Sequence, residues 1–308
     1  MNVLITGGAG YIGTELTYAL NANPDIESIV IYDNLNRQNF NVFLGRSKLE
    51  GNKVRYVNGD ILDSRKLKKE IEKADIVYHL AAKVTTPFAD HSPHEFDQVN
   101  NWGTAELTYL IEESNVSKLI YASSASVYGA SSEAVDVDTS PNPRTFYGIS
   151  KMRGEDHVKR LIGSKTDVYI LRLGNVYGYS KSMRFDSVIN KFLFEANFAK
   201  RIRIYGSGEQ KRSFIHIDRL AALLNACCAE KNKQAPGIYN LVESTYAIHD
   251  ITDALKMLYP EMEMIFVNQN VQMRSLKVKP DDRLNTNTLK LDADLLEDLK
   301  EFKDQFCF

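Results

Sequence analysis

Residues 3–13 read VLITGGAGYIG, and this stretch decides the fold. A short apolar run typical of a β-strand leads directly into glycines, and a helical pattern follows them. Two glycine spacings overlap here, GxGxxG at Gly8, Gly10 and Gly13 and GxxGxxG starting from Gly7. Such glycines allow a tight turn and a close backbone approach to a pyrophosphate, which the free N–H groups of the helix start then bind. The stretch therefore predicts a dinucleotide-binding turn rather than a plain tight turn.

Short β-branched runs alternate with helical patterns from this turn onward. The predicted strands are residues 3–5, 29–32, 54–57, 76–80, 119–123 and 168–173. The predicted helices are residues 12–21, 64–73, about 94–114 and about 147–162. Apolar strands of this length separated by helices indicate βαβ units, and hence a parallel sheet that is buried on both faces.

The pattern loosens after residue 173, which indicates a second region. Residues 213–241 contain two more strand-like runs with a helix between them, and we predict that they return to the main sheet. The predicted fold is α/β, a Rossmann-like doubly wound parallel sheet with a smaller, discontinuous C-terminal substrate lobe. The sheet domain comprises residues 1–173 and 213–241, and the lobe comprises residues 174–212 and 242–308. Ligands of such folds bind in the crevice at the carboxyl ends of the strands.

The composition excludes several classes of protein. The chain has 308 residues and a formal net charge of -2, so it has no electrostatic reason to bind nucleic acid or an anionic membrane surface. Its three cysteines, Cys227, Cys228 and Cys307, form no CxxC pair, and neither a disulfide framework nor a metal site is predicted. The sequence shows no signal-peptide pattern and no apolar stretch long enough to span a bilayer, which predicts a cytoplasmic location.

Carboxylates follow two of the predicted strands. Asp33 ends the second strand, where an acidic residue suits the ribose hydroxyls of NAD and repels the 2′-phosphate of NADP. NAD is therefore favoured, although the nearby Arg37 keeps NADP open. Asp60 follows the third strand and is a candidate contact to the adenine ring. The alternative for Asp60 is a structural role in the turn that ends the strand.

Tyr147 and Lys151 are the candidate catalytic pair. Their spacing of four residues places both side chains on one face of the predicted helix. A neighbouring ammonium favours the phenolate, so we expect a lowered tyrosine pKa and a proton shuttle for an alcohol. By itself this spacing also occurs on solvated helix faces. Its place behind a dinucleotide turn and a strand that ends in serines favours the catalytic interpretation.

Taken together, these stretches resemble the extended short-chain dehydrogenases/reductases, in the NAD-dependent epimerase/dehydratase family that acts on nucleotide sugars. The matching stretches are TGGAGYIG (6–13), Asp33-Asn34, Gly59-Asp60, HLAAK (79–83), Asn100, YASSASVYG (121–129), Tyr147/Lys151, RLGNVYG (172–178) and YGSGEQKRSFIHIDRLA (205–221). They follow the family's order over residues 1 to about 245. The remaining residues, about 60, match the family poorly.

The resemblance implies NAD as the cofactor and a role for each matching residue around it. Tyr147 is implied as the base and acid, Lys151 as the residue that holds the nicotinamide ribose, and Ser124 as the catalytic serine that hydrogen-bonds the reacting sugar oxygen. The implied cofactor-binding residues are Gly7, Gly10, Tyr11, Ile12, Gly13, Asp33, Asn34, Asp60, Ile61, Leu80, Ala81, Ala82, Lys83, Asn100, Ser123, Tyr147 and Lys151. Asn100 belongs to a helix that supports the active site in relatives.

The resemblance also implies a nucleotide-sugar site and a partner. Asn175 and Arg212 fall where relatives contact the substrate diphosphate, which suits a bidentate guanidinium. Arg274 is a candidate second clamp whose surroundings do not match the family pattern. Ser124, Ser126 and Tyr147 complete the implied substrate site. A homodimer is implied because the equivalents of helices 94–114 and 147–162 pair between subunits in relatives, although the apolar stripes of these helices suit a core equally well.

The residues after Ser124 narrow the reaction. The 4,6-dehydratases of the family carry an Asp-Glu pair there, and the decarboxylases carry a Glu at the second place, whereas this chain has Ala125 and Ser126. The leading hypothesis is therefore 4-epimerisation of a UDP-sugar, of the UDP-glucose or UDP-N-acetylglucosamine type, through a transient 4-keto sugar with NAD regenerated in each cycle. The main alternative is a nucleotide-sugar 4-ketoreductase. A cofactor-binding regulatory protein is an alternative of another class, which the intact Ser124, Tyr147 and Lys151 disfavour.

Overall fold

Parallel strands form the central sheet of the protein, whose computed structural model describes residues 1–44, 48–84, 92–228, 235–268, 273–281, 283 and 294–306. Along the chain the strands are β1 (Asn2–Thr6), β2 (Ser28–Asp33), β3 (Val54–Asn58), β4 (Ile76–His79), β5 (Lys118–Ser124), β6 (Ala134–Val135), β7 (Asp167–Leu173), β8 (Asn175–Tyr177), β9 (Arg201–Tyr205), β10 (Lys211–His216), β11 (Gly237–Leu241), β12 (Ser244–Ala247), β13 (Glu263–Val267) and β14 (Lys277–Val278).

Helices connect these strands. They are α1 (Tyr11–Asn21), α2 (Ser64–Ile71), α3 (Pro93–Phe96), α4 (Gly103–Glu112), α5 (Phe146–Lys159), α6 (Val188–Phe194), α7 (Ile217–Ala226), α8 (Ile248–Leu258) and α9 (Leu295–Asp304). A π-helical segment, Asp97–Trp102, joins α3 to α4, so the helix predicted over about 94–114 forms with a local widening of its turns. None of the helices in the described ranges is long and apolar enough to cross a membrane.

The main sheet has the order β3-β2-β1-β4-β5-β7-β11, and all of its neighbouring strands are parallel. Its two faces are covered by different helices, because side chains alternate along each strand. Val3 and Ile5 of β1 pack in a core cluster with α1 and α7, and Leu4 packs in a second cluster with α2, α4 and α5. The predicted doubly wound α/β fold is confirmed.

One of the two strands predicted to return to the main sheet does so. β11 completes the sheet beside β7, with Ile238 opposite Ile170. β10 instead pairs with β8 and β12 in a separate three-stranded sheet, with Phe214 opposite Asn175. The prediction for residues 213–217 was therefore wrong. The edge of β7 is taken by β11, so β10 pairs with the short strand that follows β7.

A third core cluster lies apart from the two faces of the sheet. It gathers apolar side chains mainly from residues 174–212 and 242–306, including Ile189, Ile251 and Phe302, with Phe214. Two-stranded sheets, β9-β13 and β6-β14, also occur outside the main sheet. The division into domains at the boundaries given above stays a prediction. Cys227 and Cys228 are free thiols, and Cys307 lies outside the described residues.

Candidate active site

A cavity of about 1510 Å³ lies at the carboxyl ends of the parallel strands. All of the predicted site residues except Asn100 line it, from the glycine turn through Asp33 and Ser124 to Arg212 and Arg274. The structure therefore brings together residues that are more than 260 positions apart in the chain. Around this cavity and elsewhere in the described residues, no group of three or more His, Cys, Asp or Glu side chains is placed to hold a metal ion.

The glycine turn fits a pyrophosphate. Gly7 has a φ of +73°, and a Cβ at this position would lie 2.6 Å from the backbone nitrogen of Ala81. Gly10 is the N-cap of α1 and supplies no side-chain cap, which leaves the first amides of the helix available to a ligand. Gly10, Tyr11, Ile12 and Gly13 all line the cavity, so these amides and the positive end of the helix dipole face the space where a dinucleotide phosphate fits.

Asp33, Asn34 and Asp60 form the wall that follows β2 and β3. The Asp33 carboxylate accepts hydrogen bonds from the Ala9 and Leu35 amides at 3.1 and 2.8 Å, which fixes it at the strand end. Burial raises the Asp33 pKa, and these two amide bonds oppose the rise. Asn34 donates to the Asp60 carboxylate at 2.9 Å, so two of the predicted cofactor-binding residues are linked.

Asn100 lies behind the cavity wall rather than in it. Its side chain is fully buried and bonds both backbone groups of Lys83, accepting from the nitrogen at 2.8 Å and donating to the oxygen at 2.9 Å. It also donates to the Ser150 hydroxyl at 2.9 Å, which ties the loop after β4 to α5. The predicted cofactor residue Lys83 does line the cavity, and its ammonium pairs with Glu95. Asn100 thus holds a cofactor-lining loop in place.

Three elements position the predicted catalytic residues. Ser124 ends β5, and its hydroxyl accepts a hydrogen bond from the Ser126 amide at 3.1 Å. Tyr147 and Lys151 lie in the first turns of α5, whose start is fixed by Thr145, the N-cap that accepts from the Gly148 amide at 3.0 Å. The Ser124 hydroxyl hydrogen-bonds the Tyr147 phenol, so the predicted serine and tyrosine meet.

The electrostatics of the pair differ from the expectation. Burial raises the pKa of Tyr147, and the influences that oppose this rise are the Ser124 hydrogen bond and the charge of Arg184. Burial also lowers the Lys151 pKa to about 7, against the stabilising charge of Glu155. The expected lowering of the Tyr147 pKa was therefore wrong. For Tyr147, the loss of hydration disfavours the phenolate more than the neighbouring groups favour it. Desolvation also disfavours the ammonium form of Lys151, so this side chain is not a permanent cation.

A buried ion pair lies directly behind these residues. Glu155 accepts from Arg172 Nε at 2.9 Å and from Arg172 Nη2 at 2.8 Å, and it also accepts from the Ser123 hydroxyl at 2.6 Å. Ser123 precedes Ser124 on β5, and Glu155 lies one helical turn beyond Lys151 on α5. The pair therefore connects the strand and the helix that carry the predicted catalytic residues. Neither Glu155 nor Arg172 was singled out from the sequence for a role.

Basic groups line the end of the cavity predicted to take the substrate diphosphate. Arg212 donates to the backbone oxygens of Lys211, at 2.8 Å, and of Arg274, which brings the two predicted clamps together. Asn175 donates to the Ser213 carbonyl at 3.2 Å and lines the same cavity. The cavity has further basic residues that the sequence analysis did not select, Arg144, Arg184, Lys191 and Arg203.

Residues 178–187 join two walls of the cavity, and we call them the strap. At one end the Tyr11 hydroxyl of α1 donates to the Gly178 carbonyl at 2.6 Å. In the middle, Thr14 donates to the Ser182 hydroxyl at 2.8 Å, and Ser182 exchanges two hydrogen bonds with Asn39, both at 3.4 Å. Further along, Arg184, Phe185 and Asp186 line the cavity. No motif in the sequence pointed to this contact, because its residues are more than 140 positions apart.

Comparisons with known proteins agree with this geometry. A model of the NAD dependent epimerase/dehydratase family matches residues 3–241. Among curated proteins, dTDP-D-glucose 4,6-dehydratase of Mus musculus is 35% identical over 246 residues, covering 78% of this chain and 67% of that protein. A putative UDP-glucose 4-epimerase of Methanocaldococcus jannaschii is 31% identical over 229 residues, covering 71% of this chain and 70% of that protein.

Solved structures match over almost the whole chain. UDP-glucuronic acid 4-epimerase from Bacillus cereus, in complex with UDP-glucuronic acid and NAD, has a TM-score of 0.84 at 26% identity and covers 99% of this chain and 98% of its own. UDP-N-acetylglucosamine 4-epimerase from Methanobrevibacter ruminantium, in complex with UDP-N-acetylmuramic acid, has a TM-score of 0.82 at 25% identity and covers 98% and 97%. The chain is thus an enzyme of the NAD-dependent epimerase/dehydratase family, of the extended short-chain dehydrogenase/reductase type, and its cofactor is NAD.

Proposed function

We propose that the protein is a 4-epimerase of a nucleotide sugar, of the UDP-glucose or UDP-N-acetylglucosamine type, that works through a transient 4-keto sugar. The observation that carries this proposal is the surroundings of Ser124. The serine, Tyr147 and Lys151 line one cavity, and Ala125 and Ser126 line it beside them. Neither of these two side chains carries the carboxylate that the resemblance implies for dehydration or decarboxylation.

The other acidic groups of the cavity support the same conclusion. Within the described residues that line it, these are Asp33, Asp60, Glu95 and Asp186. Each already has partners: backbone amides for Asp33, Asn34 for Asp60, Lys83 for Glu95 and Arg184 for Asp186. Expelling a hydroxyl from C6 needs a carboxylic acid free to give a proton, and none of these four is free. The identity with named dehydratases reflects the common scaffold.

The residues of the site divide the work between them. Bound NAD supplies a reversible hydride acceptor for the sugar carbon. In its phenolate form, Tyr147 takes the proton of the 4-hydroxyl and later returns it, while the Ser124 hydroxyl donates to the same sugar oxygen and orients it. The Lys151 ammonium stabilises the phenolate that forms when Tyr147 gives up its proton. Arg212 and Arg274 hold the diphosphate, so the keto sugar can rotate in the site while the nucleotide stays bound.

The strap favours an epimerase over a 4-ketoreductase. A reductase must exchange its cofactor in every cycle, whereas an epimerase regenerates NAD in place. The hydrogen bonds between Asn39 and Ser182 join two walls of the cavity and have to break if those walls separate. A cavity closed in this way suits a cofactor that stays through many cycles.

We further propose a homodimer formed through α4 and α5, in the cytoplasm. Trp102, Tyr109 and Phe146 lie at or near these helices and are 57%, 54% and 45% exposed. Large aromatic side chains at such exposure are typical of a surface that is covered in an assembly. Analytical ultracentrifugation tests this proposal, because a sedimentation coefficient of a single chain at micromolar concentration contradicts it.

One experiment tests the proposed reaction. The purified protein is incubated with UDP-glucose and with UDP-N-acetylglucosamine without added cofactor, and proton NMR follows the sugar. We expect the C4 epimer to form, and we expect Tyr147→Phe to lower turnover by about 10²–10⁴-fold. The control variant is Tyr109→Phe, because this tyrosine of α4 does not line the cavity and the substitution keeps its ring. A strict need for added reduced cofactor would indicate a ketoreductase, and loss of water from the sugar would indicate a dehydratase.

A further inference from the structure

The Lys151 ammonium rests on an aromatic ring. Its Nζ atom lies 4.3 Å from the centroid of the Tyr121 ring, and both side chains are buried, Lys151 to 2% exposure and Tyr121 to 0%. A cation at this distance over an aromatic face is attracted by the negative face of the ring, and the attraction is strongest when water is excluded. The ring therefore supplies part of the solvation that Lys151 loses by burial.

The same tyrosine supports the helix that carries the catalytic pair. A Cβ on Gly154 would lie 2.4 Å from the Tyr121 hydroxyl oxygen and 2.8 Å from the Asn100 carbonyl, so α5 packs against both with no room for a methyl group. Gly154 and Lys151 are three residues apart and share one face of the helix. The Tyr121 side chain thus meets α5 under its backbone at Gly154 and under its ammonium at Lys151.

Tyr121 is itself held firmly. It lies within β5, between β4 and β7, opposite His79 and Ile170. The His79 ring stacks on the Tyr121 ring with centroids 5.4 Å apart, and both ring nitrogens of His79 are bonded, to Thr6 at 2.8 Å and to Thr104 at 2.9 Å. A side chain fixed in this way is a rigid reference for whatever packs on it.

Few charged groups around Lys151 stabilise its ammonium, so the Tyr121 ring is a main source of that stabilisation. On β4, His79 stays neutral, because burial and the charge of Lys151 lower its pKa to about 3. On β5, burial raises the Tyr121 pKa, so its hydroxyl stays protonated. On α5, burial likewise raises the Tyr147 pKa, and the charge of Glu155 favours the Lys151 ammonium. The Glu155 oxygens are already bonded to Arg172 and Ser123.

We propose that Tyr121 is a positioning residue of the reaction, whose ring is the seat that holds the Lys151 ammonium, and with it α5, in the place where Tyr147 reacts. The role of Lys151 in the chemistry rests on the proposed function. The seat itself does not, because it is a property of the protein that can be measured without turnover.

The test compares Tyr121→Phe, which keeps the ring face, with Tyr121→Leu, which removes it. The full chain with NAD bound is labelled with ¹³Cε-lysine, and the Lys151 signal is identified by its loss in Lys151→Met. In the unsubstituted protein we expect an upfield shift of the Lys151 Hε protons, caused by the ring current of Tyr121. Absence of this shift overturns the proposal, and this measurement does not depend on the stability of any Tyr121 variant.

The titration of the same signal provides the second readout. We expect the Lys151 midpoint to stay within about 0.3 pKa units in Tyr121→Phe and to fall by about one unit in Tyr121→Leu, the size expected for a desolvated cation–π contact. An equal midpoint in the two variants overturns the proposal.

Activity then separates positioning from folding and from the proposed function. With UDP-glucose and UDP-N-acetylglucosamine as the probes, we expect the pH profile of kcat/KM to be unchanged in Tyr121→Phe and its alkaline limb to move to lower pH in Tyr121→Leu. A Lys151 midpoint that shifts in Tyr121→Leu, with no turnover of either sugar by the unsubstituted protein, supports the seat and contradicts the proposed substrate. A Lys151 midpoint that does not shift in Tyr121→Leu, with normal epimerisation, contradicts the seat and supports the proposed function.

Discussion

Two arginines in this protein each bind a buried carboxylate through two hydrogen bonds, and the two ion pairs have different functions. Arg172 binds Glu155 through two hydrogen bonds at 2.9 and 2.8 Å. Arg219 binds Asp298 through two at 3.0 and 2.7 Å, and it adds a third to Glu243 at 2.6 Å. The Arg172 side chain is 3% exposed and the Arg219 side chain 15%.

The difference lies in what each pair touches next. Glu155 accepts a hydrogen bond from Ser123, and its negative charge raises the Lys151 pKa. The first pair therefore acts on the electrostatics of the active site. Asp298 belongs to α9, and none of the residues of the second pair lines the cavity. The second pair fastens the C-terminal helix to α7 and β8, where Tyr177 also bonds Asp298. Two ion pairs of similar geometry thus have different functions in this protein. The function of each pair depends on which groups lie beside its carboxylate.

The largest effect is expected when the first pair is broken from one side. Arg172→Met removes the bidentate partner of the buried Glu155 carboxylate, which keeps only Lys159 at 3.4 Å and the Ser123 hydroxyl, and this should cost about 3–5 kcal/mol of unfolding free energy. Urea denaturation of the NAD-loaded protein measures this change. The control is the double variant Arg172→Met with Glu155→Met, which should recover most of the loss because neither charge of the pair is then left buried without the other. A cost below about 1 kcal/mol for the single variant contradicts the assignment.

A slightly smaller effect, of another kind, is expected for the second pair. Arg219→Met should cost about 2–4 kcal/mol, because Arg219 is less buried than Arg172 and some solvent already reaches it. We also expect α9 to detach first, so that limited proteolysis cuts near residues 294–304 before the rest of the chain. The Lys151 titration should not move. A shifted Lys151 midpoint in this variant would remove the distinction between the two pairs.

A third expectation concerns pH. Glu155 raises the Lys151 pKa, so Glu155→Gln should lower it from about 7 by about one unit, since a nearby opposite charge shifts a pKa by about 1–3. Activity that needs the ammonium is present below this pKa and lost as the pH rises through it, so the alkaline limb of kcat/KM should move to lower pH. The matched control is Asp156→Asn, an exposed carboxylate next along α5, which should leave the limb in place.

The smallest effect is expected for the hydrogen bonds between the strap and the loop after β2. Asn39→Ala removes both hydrogen bonds between the strap and the loop after β2, because the Asn39 side chain is the donor in one and the acceptor in the other. Each is worth about 0.5–1.5 kcal/mol, so NAD should be lost about 5–10-fold faster, as measured by exchange against labelled NAD. Asn23→Ala is the control, because it removes a similar bond, to Asn225, outside the cavity. Equal loss rates for the two variants would show that the strap does not retain the cofactor.

The local parts of the fold and site could be predicted from the sequence. The glycine turn, Asp33 and the Tyr147/Lys151 spacing are each encoded within a few residues, and all of them line the cavity. The placement of β10 could not be predicted, because its run of apolar residues suits either sheet. Only the competition between β10 and β11 for the edge of β7 decides it.

Contacts across long stretches of chain left no signal. Tyr121 belongs to a stretch that matches the family, yet nothing in that stretch shows that a lysine 30 positions later lies over its ring. Arg219 and Asp298 are 79 positions apart, and Asp298 falls in the part of the chain that matches the family poorly. Charged residues are mostly exposed in folded proteins, so both Arg219 and Asp298 would be expected on the surface from the sequence alone. Nothing in the sequence near either residue indicates that the two contact each other.

The position of Asp298 also bears on how the protein is made. Arg219 and Glu243 enter the folding chain well before α9 and pair with each other at 2.6 Å, whereas the two hydrogen bonds from Arg219 to Asp298 form only after residue 298 has left the ribosome. The sheet can form early, since β1 to β11 lie within the first 241 residues, whereas the cluster that contains Leu299 and Phe302 closes last. We therefore expect synthesis to pass through a state with an ordered sheet and an open lobe. A premature stop before α9 should then yield a chain that quality-control proteases remove rather than a shortened enzyme.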